Sequence, residues 1–115
     1  MDFNAFVKSI VEPVLLSFRF LLKQNEKGFL KYDHRNIAII ISYDYNVSYE
    51  ANMTLLFKES GLFYGYKQLD EFFYNRTTDI SAIQIKDEEI MIKWLQKVEE
   101  LLRDNLSSII NKRTG

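Results

Sequence analysis

The sequence predicts an α+β fold: an N-terminal helix, a four-stranded antiparallel meander, a short helix and a long C-terminal helix, with the helices packed on one face of the sheet. Three features of its 115 residues carry that expectation. Apolar side chains recur at steps of three and four near the N-terminus, alternate between residues 29 and 66, and return to helical spacing after residue 90. The polar breaks between strands are a few residues long, which suits hairpins, since a parallel crossover needs a dozen or more. Strands in one run with helices on either side of it read as α+β rather than parallel α/β.

Phe3, Phe6, Val7, Ile10, Val14, Phe18, Leu21 and Leu22 keep one phase over about six turns, which is one face of a helix. Pro13 either kinks that helix or starts a second one, and Gly28 marks its exit. Phe29 to Tyr32 is then a short strand, Asp33-His34-Arg35-Asn36 a polar turn, and Ile37 to Tyr43 a strand rich in β-branched residues. In the next strand Tyr49, Ala51, Met53, Leu55 and Phe57 alternate with mostly polar neighbours, as in a sheet covered by helices on one face and open on the other. Leu62 to Tyr66 forms the fourth strand, with Gly65 a candidate bulge. Lys67 to Asn75 suits two turns of helix carrying Leu69, Phe72 and Phe73 inward, and residues 76–86 read as a loop or a brief extended segment. Asp87 is a good N-cap, with Glu88 and Glu89 where the helix dipole favours anions. The last helix places Ile90, Met91, Trp94, Leu95, Val98, Leu101 and Leu102 on one face and pairs Glu89 with Lys93 and Glu99 with Arg103 on the other. Residues 106–110 either continue it or form a separate turn.

A chain of this length fits one domain, residues 1–115, and its 47 % apolar and 15 % aromatic content supplies a core without metal or disulfide. Fifteen basic against sixteen acidic residues leave a net charge of -1, with no basic cluster to neutralise phosphates, so nucleic acid is not an expected partner. The absence of cysteine excludes thiolate nucleophiles, zinc–thiolate sites and iron–sulfur clusters. Asp2, Glu12, Pro13 and Arg19 interrupt the apolar N-terminal run, so it reads as neither a signal peptide nor a membrane span, which needs about 20 nearly uncharged residues. The absence of cysteine does not by itself fix the compartment. Without a secretory signal, the sequons at Asn46, Asn52, Asn75 and Asn105 are expected to reflect an Asn-rich composition rather than glycosylation.

No catalytic group assembles from this inventory. His34 is the single imidazole, lacks a nucleophilic partner, and has no clustered ligands for zinc or iron. The four glycines are too scattered for a phosphate-cradling loop, so no nucleotide or other cofactor is expected. Asp44 and Glu50 flank the turn YDYNVSYE and could form a carboxylate pair, but acid catalysis needs a burial that an exposed hairpin end does not supply. The tyrosines are more informative. Tyr32, Tyr43, Tyr45, Tyr49, Tyr64, Tyr66 and Tyr74 lie in or beside the sheet, and alternation cannot turn all of them inward. Tyrosine favours interfaces because it couples a rigid ring with a polar tip. Tyr43, Asp44, Tyr45, Tyr49 and Glu50 therefore outline an acidic, aromatic surface for a basic protein partner.

Gly28-Phe29, Tyr43-Asp44, Ser48-Tyr49-Glu50 and Tyr66 with Leu69, in this order between two helices, resemble a pattern in small bacterial proteins regarded as immunity proteins of polymorphic toxin systems. The resemblance implies a cytoplasmic, non-enzymatic protein that binds and blocks a toxin domain. A competing expectation is a homodimer formed through the open sheet face or an edge strand. A third is a small ligand-binding domain or enzyme that gathers Asp44, Glu50 and His34 around a concave sheet.

Overall fold

The computed structural model describes residues 1–59, 62–68 and 83–114, with side chains described for 1–56 and 83–111. The α+β architecture is as expected: two N-terminal helices, an antiparallel sheet and a long C-terminal helix. Helix α1 covers Phe3–Ile10, and Asp2 caps it by accepting the Ala5 amide at 3.1 Å. Helix α2 covers Glu12–Ser17, with Pro13 in its first turn, so the proline starts a second helix instead of kinking one.

The apolar phase that runs on to Leu22 does not extend the helix. The Phe20 amide donates to the Leu15 carbonyl at 3.0 Å and the Arg19 amide to Leu16 at 2.9 Å, while Arg19 sits at φ +68°. This is a Schellman closure with arginine in the position that usually takes glycine. Phe20 and Leu15, which hold the two positions that pack together in this motif, are both fully buried in the core. The chain then turns into a strand, β1 (Leu21–Glu26), that the sequence reading had given to the helix.

The remaining strands are β2 (Phe29–His34), β3 (Ile37–Tyr43), β4 (Glu50–Glu59), β5 (Leu62–Gln68) and the two-residue β6 (Ile83–Gln84). They lie in the order β1-β2-β3-β4-β5, every neighbouring pair antiparallel, with β6 beside the start of β4. The meander thus has five strands and a short sixth where four were expected. Gly28 lies in the β1–β2 turn, β6 falls in the expected brief extended segment, and a register shift in the β4–β5 pair falls at Leu56/Phe57. Lys67 and Gln68, expected to open a short helix, belong to β5; the rest of that helix lies outside the described residues.

Helix α3 (Glu88–Thr114) continues through residues 106–110 without a break. Asp87 caps it, accepting the Glu89 amide on Oδ1 at 2.7 Å. The pairs Glu89–Lys93 and Glu99–Arg103 form as expected. Met91, Trp94, Leu95, Val98, Leu102, Leu106 and Ile109 are buried, whereas Ile90 is exposed and Leu101 half-buried. These residues join Phe3, Val7 and Leu15 of the first helices and Leu30, Tyr32, Ile39, Ile41, Met53 and Leu55 of the sheet in one core. Tyr32 reaches through it to donate its hydroxyl to Glu12 Oε2 at 2.7 Å, and burial with that carboxylate pushes its ionisation far up. On the opposite sheet face Ala38 is fully buried and Ile40, Ser42, Asn52, Thr54 and Leu56 are half-buried, so that face is less open than expected.

Candidate functional site

Six residues, 44–49, connect β3 to β4, and the backbone closes beneath them through the Asp44 amide, which donates to the Glu50 carbonyl at 3.0 Å. A loop this polar would sample many conformations on its own. The Asp44 carboxylate organises it instead. Oδ1 accepts the amides of Asn46 at 3.1 Å and Val47 at 3.2 Å, while Oδ2 accepts the Ser48 amide at 3.2 Å and the Ser48 hydroxyl at 2.9 Å. Hydrogen bonds to the ionised form favour it, so these donors hold the Asp44 pKa down at about 2. The Asp44 charge is used to shape the loop.

Ser48 and Tyr49 fasten the other limb. The Gln84 amide nitrogen donates to the Ser48 carbonyl at 2.9 Å, and the Ile85 amide to the Tyr49 carbonyl at 2.7 Å, with Tyr49 in the left-handed region at φ +55°. Tyr43, expected among the contact residues, is buried at 6 % exposure. Its hydroxyl donates to the Ile85 carbonyl at 2.7 Å and its ring lies 5.4 Å from that of Phe3, so it supports the loop from below. Burial, with Tyr49 and Asp44 nearby, raises its ionisation.

The adjoining β1–β2 turn is fixed to the same end of the sheet. Gly28, at φ +79°, accepts the Tyr43 amide at 2.8 Å and donates its own amide to Asn4 Oδ1 at 2.9 Å. A Cβ there would stand 2.5 Å from the Tyr43 carbonyl oxygen, so both the conformation and the close approach require glycine. Lys27 then lies 4.4 Å over the Tyr45 ring, and Lys86 5.5 Å over that of Tyr49. Between α1 and the loop is a recess of about 380 Å³ whose lining includes Phe3, Asn4, Lys27, Gly28, Tyr43 and Tyr45.

At the surface this leaves Val47, 80 % exposed at the loop tip, Tyr45 at 39 %, the exposed Glu50 and the half-buried Tyr49. Of the five expected contact residues, Tyr45, Tyr49 and Glu50 reach the surface of this hairpin, Tyr43 and Asp44 underpin it, and Lys27 and Lys86 lie over the Tyr45 and Tyr49 rings. Comparison of the chain with family models, curated proteins and solved structures finds no match. Val47 was missed by sequence reasoning; its signal was a β-branched apolar residue inside an otherwise polar turn.

His34 does not join this group. It ends β2 opposite Ile37, at the far end of the strand that carries Tyr43, about 20 Å away at the usual rise per residue. The expected arrangement of His34 with Asp44 and Glu50 around one concavity is therefore corrected. Among the described residues there is no group of three His, Cys, Asp or Glu placed to hold a metal ion, and no helix long and apolar enough to cross a membrane.

Proposed function

We propose that this is a non-catalytic protein-binding module whose contact surface is the 44–49 loop, with Val47 and Tyr45 as anchors, Tyr49 and Glu50 beside them, and Lys27 and Lys86 at the rim. The observation that carries the reading is a solvent-facing Val47 on a loop whose four donors to Asp44 fix its shape before any partner arrives. Ordering a flexible loop on association opposes binding, and a preformed loop avoids that loss. A rigid aromatic and apolar centre with a charged rim is also how protein interfaces are composed. The resemblance to immunity proteins supports the finer reading of a bacterial, cytoplasmic inhibitor that covers a toxin domain. Glu50 is the exposed carboxylate available to a basic group on such a partner.

Self-association through β1 has a specific observation against it. This edge strand carries a register shift at Lys23 and the charged residues Lys23 and Glu26, features that oppose edge-to-edge pairing. Affinity capture from the native host with the tagged chain and with Val47→Lys as baits, followed by mass measurement of the eluted species, tests the proposal. The expected result is one stoichiometric protein partner whose recovery falls about tenfold or more with Val47→Lys, the scale of losing an interface anchor. Unchanged recovery with the variant, or a mass equal to two copies of the chain alone, would overturn it.

A further inference from the structure

The opposite end of the sheet holds a second, chemically different site. A pocket of about 270 Å³ is lined, among the described residues, by Ser17, Phe18, Arg19, His34, Arg35 and Ile110, three of them basic side-chain types and none a carboxylate. Among the described acids, Glu12 accepts the Tyr32 hydroxyl, and Asp33, beside His34 in sequence, lies 4.0 Å from Lys31. Ser17 Oγ is held by the Val14 carbonyl at 2.6 Å. His34 is oriented, since its Nδ1 lies 3.3 Å from the Arg19 carbonyl and its ring rests 5.3 Å from that of Phe20.

Both arginines occupy backbone positions that disfavour them. Arg19 sits at φ +68° in the Schellman closure of α2, and Arg35 at φ +52° in the two-residue turn between β2 and β3. Glycine or asparagine would fit either place with less strain. Strain retained at two residues that share one pocket is accounted for if their side chains are needed there. We infer that Arg19, Arg35 and His34 form a binding site for a small oxyanion of the phosphate class. Guanidinium groups match the geometry of phosphate oxygens, and the pocket has room for a phosphate group. The site is independent of the 44–49 loop.

The test uses two glycine substitutions, Arg19→Gly and Arg35→Gly, because each removes a guanidinium while relieving its backbone. Inorganic phosphate is titrated into the isotopically labelled full chain at constant ionic strength, with chloride as control, and the His34 ring and arginine Nε–H signals are followed by NMR. Saturable shifts of these signals are expected with phosphate and not with chloride. In the double glycine variant the His34 shift should be lost, with the melting temperature unchanged or raised. Shifts that fail to saturate, that chloride reproduces, or that survive in the glycine variant overturn the assignment, as does a phosphate response confined to other residues. A parallel titration with a nucleoside monophosphate separates a free-phosphate site from one for phosphate esters: added shifts at Phe18 and Ile110 signify the ester, and the same His34 shift alone signifies the free anion.

Discussion

Asp44 shows how one side chain can set both the shape and the pH response of a surface. Its carboxyl is ionised down to about 2 in the folded chain against an ordinary 3.8. A depressed folded pKa stabilises above the unfolded value and loses that contribution as pH falls through the folded one, so Asp44 adds to the decline in stability between about pH 4 and pH 2. Asp44→Asn should lower the urea midpoint at neutral pH and flatten its acid dependence over that window, measured as midpoint against pH for both proteins. At Gly28 the left-handed backbone and the 2.5 Å approach to the Tyr43 carbonyl predict that Gly28→Ala destabilises by about 1–3 kcal/mol in equilibrium denaturation. Tyr43→Phe would leave the buried Ile85 carbonyl without its donor, a loss of about 1–3 kcal/mol in the same measurement. Gly28 was legible as a break in the pattern but as the exit of a helix, whereas the N-terminal helices end at Ser17 and Gly28 turns β1 into β2. That Asp44 makes its own turn was one of two readings its place in a polar turn allows, because an Asp there looks the same in sequence whether it binds its neighbours or a partner.

Among the elements, the strands with one clear apolar face were readable, and those without one were not. Strand β3 followed from its run of β-branched residues, β4 from alternation, and α3 from its spacing and the Asp87 cap. Replacing that cap by alanine should cost about 1 kcal/mol in thermal or chemical unfolding, whereas Glu99→Ala, which removes only an exposed pair with Arg103, should change stability by about 0.5 kcal/mol or less. Strand β1 escaped because it is an edge strand of mostly exposed polar residues, and because Leu21 and Leu22 prolong the helical phase of α1 and α2. The stop between them is made by Arg19, and no glycine announced it. Position 13 was legible only as a fork, since proline in the first turn and proline at a kink leave the same phase.

Across the whole molecule, helices on one sheet face carry the core, and the two ends of the sheet present different chemistry. One end has the apolar and aromatic loop, supported by the Tyr43 bond to Ile85, beside the β1–β2 turn that Asn4 ties to α1; the other has the basic pocket of Arg19, His34 and Arg35. The division of residues between these ends depends on register, which pairs His34 with Ile37 and Tyr43 with Ala51 and so keeps the imidazole and the acidic loop a strand length apart. Composition alone could not reveal that separation. The most direct measurement is amide hydrogen exchange on the captured complex beside the free chain. Binding through the loop predicts slower exchange at residues 44–49 and at the adjoining Lys27 and Lys86, with residues 21–26 unchanged; slowing confined to residues 21–26 or to the Arg19 and Arg35 end, with the loop unaffected, would contradict it.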